Sequence, residues 1–167
     1  RTQRAPAGCS TDKADRRPQV APDGTTVLFA HGKRDNAPEC WLVPTQGGEP
    51  RRLCAGLPLN WSSDGKLVYV LRDSLVRSYD PATGTEQAVS QARVPAEGKS
   101  GGTVGAISPS LDLVTVRTLR AVEIFSFAEG KTIKGLGGCE PRFSADGRYV
   151  YWVHDGSDFR TWDLEAG

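Results

Sequence analysis

The sequence predicts an all-β fold in which one four-stranded unit is repeated four times. A Ser-x-Asp-Gly phrase, or a variant of it, joins two short apolar runs in each copy. Its aspartate position falls at residues 23, 64, 110 and 146, so the copies are 41, 46 and 36 residues apart. An Asp-Gly pair between apolar runs predicts a tight hairpin, because glycine adopts the positive φ that the turn requires. Repeats of about 40–45 residues with four strands each are typical of β-propeller blades.

The run after each turn is apolar without alternation. These second strands are expected at residues 27–30, 67–71, 113–116 and 149–153. A strand that is buried on both faces has this pattern, as when a blade is stacked between two others. The strands of a β-sandwich, the rival fold, would alternate between polar and apolar residues. The runs therefore favour a β-propeller with four four-stranded antiparallel blades.

The repeat divides the chain in order. Residues 1–17 are polar and without periodicity, and form an N-terminal segment. The blades are expected at about residues 18–54, 55–93, 103–136 and 139–167. A glycine-rich insert before the third blade accounts for the long 46-residue step, and Ser110-Leu111 there replaces the Asp-Gly pair.

Blade one is predicted to contain strands at residues 19–21, 26–31, 40–44 and 49–54, and blade two at 57–61, 66–72, 75–80 and 86–90. Blade three follows with strands at 103–107, 113–119, 121–127 and 131–136. Blade four has strands at 140–143, 148–154 and 159–164, and lacks its outer strand. An open blade edge needs a partner. Either residues 1–8 close the ring, or the chain is part of a larger propeller.

The composition excludes several classes of protein. With 38% hydrophobic and 25% charged residues, the chain is globular. A net charge of +1 gives no reason to expect nucleic acid as a partner. No apolar run approaches the roughly 18 residues that a membrane span needs.

Residues 61–69, together with 40–43 and 47–53, resemble the WD40-like (PD40) repeat of TolB-type β-propellers. The resemblance covers about residues 18–167 and is weakest in blade three. It implies a propeller that serves as a binding surface, or as a non-catalytic domain attached to an enzyme or receptor. Propellers of this type have more than four blades. The resemblance therefore does not decide whether residues 1–8 close a four-bladed ring or the chain is part of a larger propeller.

Four cysteines occur without the Cys-x-x-Cys spacing of a zinc site. Cys40 and Cys54 are symmetric about Gly47, so we expect them to be directly opposite in a hairpin and to form a disulfide. Cys9 and Cys139 both precede a first strand, and a second bond between them would tie the N-terminus to blade four. Both bonds together would place the protein in the periplasm or outside the cell. The alternative is four reduced cysteines in a cytoplasmic protein.

The sequence contains no recognisable catalytic motif. Residues 98–100 resemble the end of a phosphate loop but lack its first glycine, and no Gly-x-Ser-x-Gly is present. The two histidines are too few for a metal site. The recurring aspartates at 23, 64 and 146 are explained by turn chemistry. We therefore expect no catalytic, cofactor-binding or metal-binding residues, and no enzyme.

The loops between second and third strands carry mixed charges at one end of the blades, and loops on a rigid scaffold often bind partners. This candidate rim contains His31, Arg34, Asp35, Arg72, Asp73, Arg120, His154, Asp155 and Asp158. The expected function is a non-enzymatic propeller that binds a protein partner or a second propeller segment. The alternative is an accessory domain of a larger enzyme, such as a peptidase or a receptor kinase.

Overall fold

The computed structural model describes residues 16–32, 37–90, 93–94, 103–117, 122–137, 139–144, 146–154 and 158–166. In this part of the chain all regular structure is β, arranged as four antiparallel sheets. The predicted β-propeller of four blades is confirmed, and the last blade has three strands. The proposed closing strand at residues 1–8 lies outside the described residues.

Strand order follows the chain in every sheet, as in propeller blades. Blade one contains β1 (Arg16–Val20), β2 (Thr26–His31), β3 (Glu39–Pro44) and β4 (Arg51–Ala55). Blade two contains β5 (Leu57–Trp61), β6 (Val68–Arg72), β7 (Leu75–Tyr79) and β8 (Glu86–Val89). Blade three contains β9 (Thr103–Ile107), β10 (Leu113–Arg117), β11 (Val122–Ser126) and β12 (Lys131–Leu136). Blade four contains β13 (Cys139–Phe143), β14 (Tyr149–His154) and β15 (Asp158–Asp163).

The same turn connects the first and second strands of all four blades. In blade two, the Gly65 N–H donates to the Ser62 carbonyl at 3.0 Å, and the Ser62 N–H donates to the Leu67 carbonyl at 2.9 Å. Gly65 has a φ of 72°, the left-handed conformation that glycine adopts without a steric cost. Gly24 and Gly147 repeat it at 76° and 77°. The turn phrase in the sequence therefore marks one repeated backbone geometry.

Blade three keeps this turn without its glycine. Leu111 occupies the glycine position with a φ of 65°, and its N–H donates to the Ser108 carbonyl at 3.0 Å. A non-glycine residue in this region costs about 1–2 kcal/mol. Leu111 also packs against the apolar cluster between blades two and three, which offsets part of that cost. Tertiary packing thus supports the turn in blade three although the Asp-Gly pair is absent there.

The hydrophobic core lies between blades rather than within one sheet. Three apolar clusters join blade one to two, two to three, and three to four. Leu28 of blade one and Val68 of blade two, for example, share the first cluster and are fully buried. Burying a side chain of this size contributes roughly 1.5–3 kcal/mol. Each blade is therefore stabilised mainly by its neighbours.

Polar contacts also connect the innermost strands of successive blades. The Trp61 Nε1–H donates to the Gln19 carbonyl at 3.3 Å, and the Gln19 side-chain amide donates to the Leu59 carbonyl at 2.5 Å. The Asn60 amide donates to the Ile107 carbonyl at 3.4 Å, which connects blade two to blade three. These bonds satisfy polar groups that the stacking would otherwise bury unpaired.

Gly105 on β9 allows blade four to approach blade three. A Cβ at this position would lie 2.6 Å from the Thr115 Oγ1 and 3.1 Å from the Pro141 Cγ. Both atoms belong to a well-packed region, and the Thr115 side chain is buried. The close packing of the two blades therefore depends on the missing side chain.

Gly105→Ala is expected to lower the free energy of unfolding by about 1–3 kcal/mol, the usual cost of overpacking. Urea denaturation at neutral pH measures the change. Gly135→Ala is the matched control, because a Cβ there meets nothing within 4 Å. The control should be neutral or stabilising by up to about 1 kcal/mol. Equal losses in both variants would show that Gly105 is not a packing requirement.

Candidate functional site

The structure describes five of the nine predicted rim residues. His31, Arg72 and His154 end β2, β6 and β14, Asp73 follows in a turn, and Asp158 begins β15. All five therefore lie at the same end of their blades, where second strands connect to third strands. Arg34, Asp35, Arg120 and Asp155 lie outside the described residues.

Four contacts of the described rim residues lie within single blades. Arg72 Nε lies 3.5 Å from Asp73 Oδ2, and Asp158 Oδ2 lies 3.8 Å from Arg160 Nη2. The ring of His31 lies 5.1 Å from that of Trp41 in the same blade. His154 and Asp158 are register partners in blade four. Exposed ion pairs of this kind contribute little to stability. His31 and His154 are half-buried, and the contacts described here do not assemble a pocket.

The three recurring aspartates act in their turns. Backbone N–H groups two residues further on donate to Asp23, Asp64 and Asp146 at 2.9, 3.1 and 3.1 Å. In blade two the Ser62 hydroxyl also donates to Asp64 at 2.7 Å. This hydroxyl, with the Lys66 N–H, holds the pKa of Asp64 below its ordinary value. The carboxylates are ionised and engaged by the turn, as the sequence predicts.

Cys40 and Cys54 are directly opposite in the pairing of β3 and β4, as their symmetry about Gly47 predicts. In this structure Cys40 and Cys54 are free and buried, and the predicted disulfide between them is not formed. The Cys40 thiol donates instead to the Gly56 carbonyl at 3.2 Å. The adjacent Cys54 thiol and burial together raise the pKa of Cys40, which keeps its proton. The proposed Cys9–Cys139 bond lies outside the described residues.

In the described part of the chain, no group of three or more His, Cys, Asp and Glu side chains is arranged to hold a metal ion. No helix among the described residues has the length and apolar character of a membrane span.

The repeat shows which positions of each blade face its neighbours. Trp61 and Val68 of blade two are register partners, and both lie in the cluster shared with blade one. Their equivalents, counted from the turn, are Val20 and Val27 in blade one. Val20 and Val27 are register partners as well. They therefore belong to the side of blade one on which a preceding blade would lie.

This side of blade one is open. Val20 is 59% exposed, whereas its equivalents Trp61 and Ile107 are 9% and 2% exposed. Val27 is half-buried, although the valines at the same position of the other three blades are fully buried. Phe29, two residues along the strand, is also half-buried. We call Val20, Val27 and Phe29 the blade-one face.

The opposite side of blade four is open too. Phe159 is 67% exposed, whereas its equivalents Cys40 and Val122 are fully buried against the following blade. Thr161, on the same side of β15, is exposed, and its register partner Tyr151 is half-buried. The rings of Tyr151 and Phe159 lie 5.6 Å apart. We call Tyr151, Phe159 and Thr161 the blade-four face.

These two faces are not among the residues predicted from the sequence. The repeat nevertheless carries the signal, because positions that face a neighbouring blade within the array have equivalents in blades one and four. Counting positions from each turn assigns Val27 and Tyr151 to the outer sides of the array. The sequence does not show whether another segment covers these outer sides. In the structure, Val20 on one side and Phe159 on the other are exposed.

No protein-family model and no curated protein matches the sequence. Solved structures similar to this chain include TolB from Acinetobacter baumannii, with 17% identity and a TM-score of 0.56. A protein assigned as TolB from Agrobacterium tumefaciens has 21% identity and a TM-score of 0.59. Puromycin hydrolase has 16% identity and a TM-score of 0.55. The TolB-type propeller predicted from the sequence is confirmed at the level of the fold.

The chain spans only part of these structures. The alignments cover 89%, 96% and 90% of this chain, but 40%, 65% and 27% of the respective proteins.

We predict that alkylation of the folded protein by iodoacetamide modifies Cys54 before Cys40. Cys54 is 8% exposed, whereas Cys40 is fully buried and keeps its proton. Peptide mass spectrometry after short reaction times measures the order, and denatured protein, in which both should react alike, is the control. If denatured protein reacts at neither residue until a reductant is added, a disulfide is present and the free thiols are excluded.

Asp64→Asn is expected to destabilise the protein at pH 7, with the difference disappearing in acid. The folded-state pKa of Asp64 is below its ordinary value of 3.8, so the carboxylate stabilises the fold above that value. The stabilisation is lost as the pH falls through the folded-state pKa. Denaturant titrations of both proteins at pH 7, 4 and 2.5 measure the trend. A difference that is constant across these pH values would refute the role of the ionised turn aspartate.

Proposed function

We propose that this chain is a non-enzymatic β-propeller module that binds protein through the open sides of its first and last blades. One observation carries the proposal. Positions that are buried in the internal blades remain apolar but uncovered at both ends, most clearly at Val20 and Phe159. An exposed, contiguous apolar side of a sheet marks an interaction surface more reliably than scattered apolar residues do.

The chemistry of the two faces suits a protein partner. Phe29, Tyr151 and Phe159 are aromatic, and aromatic side chains are enriched in the cores of protein interfaces. Covering an exposed side chain of this size is worth roughly 1.5–3 kcal/mol. The polar rim borders both faces, since His31 is two residues from Phe29 and Asp158 precedes Phe159. An apolar centre with a polar border is the usual anatomy of an interface.

A second candidate is an accessory domain of a larger enzyme. It is favoured by the similarity to puromycin hydrolase, of which the alignment covers 27%. In that case the catalytic part would lie outside this chain, and one of the open faces would contact it. The periplasmic or extracellular location expected from two disulfides stays a prediction, which the alkylation experiment addresses at Cys40 and Cys54.

Site-specific photo-crosslinking in cells tests the proposal. A benzoylphenylalanine at position 159 should give a covalent protein adduct, because the blade-four face is covered in the assembled state. The control position is 133 on β12, where Ile133 is 36% exposed on the outer strand of an internal blade. Absence of an adduct at 159, or equal adducts at both positions, would reject binding through this face. An adduct with a catalytic domain would favour the accessory role.

A further inference from the structure

Cys40 and Cys54 face each other across the last hairpin of blade one, where they are register partners. The Gly56 N–H donates to the Pro38 carbonyl at 2.8 Å. Hydrogen-bonded pairs recur at every second position of an antiparallel ladder, so the two cysteines form such a pair as well. The Cα atoms of a hydrogen-bonded pair lie about 5.5 Å apart. Because a disulfide spans about 4.4–6.8 Å between Cα atoms, the backbone already has the separation that the bond needs.

The reduced pair has a hydrogen bond of its own to lose. Pro38 has no N–H, so it cannot return the hydrogen bond that it accepts from Gly56. The Cys40 thiol donates to the Gly56 carbonyl instead, at 3.2 Å. Gly56 is buried, and a disulfide would take this donor away from its carbonyl. The loss shifts the equilibrium toward the two thiols by roughly tenfold, which keeps the disulfide reducible.

The two sulfurs differ in access and in their charged neighbours. Cys40 is fully buried, whereas Cys54 is 8% exposed. The Cys40 side chain, together with Arg52 and Arg72, lowers the pKa of Cys54, while burial and Glu86 oppose them. The thiolate is the form of cysteine that reacts with oxidants. Oxidation therefore begins at Cys54, and Cys40 completes the bond.

We propose that Cys40 and Cys54 form a reversible redox site that takes a small peroxide as its oxidant. The Cys54 thiolate attacks hydrogen peroxide, an S–O bond forms and the O–O bond breaks, and the products are a sulfenic acid and hydroxide, which is protonated to water. The Cys40 sulfur then attacks the Cys54 sulfur, the S–O bond breaks, and the leaving hydroxide takes the Cys40 proton. Together the sulfurs lose two electrons, and one peroxide becomes two waters.

The surroundings of the pair favour a small oxidant. Both cysteines belong to the apolar cluster between blades one and two, which also contains Leu53 and Tyr79. A peroxide needs only a narrow approach to the Cys54 sulfur, whereas a larger disulfide has to align its own sulfurs with it. The site is separate from the two open faces, so it goes beyond the proposed function and does not rest on it.

Hydrogen peroxide added to the reduced protein at pH 7 tests the site. The full chain with Cys9→Ser and Cys139→Ser keeps Cys40 and Cys54 as its thiols. The expected product has lost two hydrogens, links the two cysteines in its peptide mass spectrum, and returns to two thiols with dithiothreitol. Oxidation that does not link the two residues, or that dithiothreitol does not reverse, would overturn the proposal.

Oxidised glutathione serves as the comparison oxidant, with denatured protein as the reference for both reactions. Folding should slow the reaction with oxidised glutathione at least about tenfold more than the reaction with peroxide. Equal slowing of the two reactions would reject a small peroxide as the oxidant that this site selects.

Single variants separate the roles of the two sulfurs. In Cys40→Ser, the reaction should stop at a sulfenic acid on Cys54, which dimedone traps. In Cys54→Ser, Cys40 should react at least about tenfold more slowly than Cys54 does in Cys40→Ser, because Cys40 is fully buried and keeps its proton. Equal rates would overturn the assigned order. Alanine variants repeat the comparison if circular dichroism shows that a serine variant has unfolded.

Pro38→Ala tests why the disulfide is reducible. Alanine supplies the N–H that proline lacks, so the Gly56 carbonyl keeps a donor when Cys40 is oxidised. The equilibrium constant for disulfide formation, measured in buffers of reduced and oxidised dithiothreitol, should rise roughly tenfold. Pro44→Ala, at the exposed end of the same strand, is the matched control and should leave it unchanged. The same equilibrium constant in Pro38→Ala and the wild type would contradict this account.

Discussion

The structure depends on the requirement that the second strand of each blade be covered on both sides. In β6, Val68 and Val70 face blade one, whereas Tyr69 and Leu71 face blade three, and all four are buried. Such a strand has no side suited to water. A single blade would therefore leave both apolar sides uncovered, so its stability depends on stacking against other blades. The same requirement leaves apolar side chains exposed on the outer sides of blades one and four, at Val20 and Phe159.

The repeated turn also lies against the preceding blade. A Cβ at Gly65 would lie 3.4 Å from the Cδ of Pro22 in the preceding blade, and one at Gly147 would lie 3.4 Å from the Cδ of Pro109. These are ordinary van der Waals distances, so the positive φ of the turn, and not a lack of space, favours glycine here. The turn therefore combines a local backbone requirement with a contact between successive blades.

The sequence alone predicts the features that repeat in every blade. It predicts much less about features that depend on the residues packed around a position. The turn phrase and the apolar runs identify the blades, even where Leu111 replaces glycine. Symmetry about Gly47 places Cys40 opposite Cys54, but the bond depends on side-chain rotamers, and the Cys40 thiol bonds to Gly56. The valine after each turn is the same residue in all four blades. Only the arrangement of neighbours makes Val27 differ from Val68 in burial.

The composition of blades one and four supports the proposal that their open sides bind another segment. Arrays of stacked repeats that end in water need terminal units with a polar outer side. Blade one instead has Val20 and Phe29 on its outer side, and blade four has Tyr151 and Phe159. The chain does use polar outer surfaces elsewhere, since Glu86 to Val89 on β8 are all exposed and two of the four are polar. The most exposed large apolar side chains, Val20 and Phe159, occupy positions that face a neighbouring blade elsewhere in the chain, which is what the proposed contact with another segment requires.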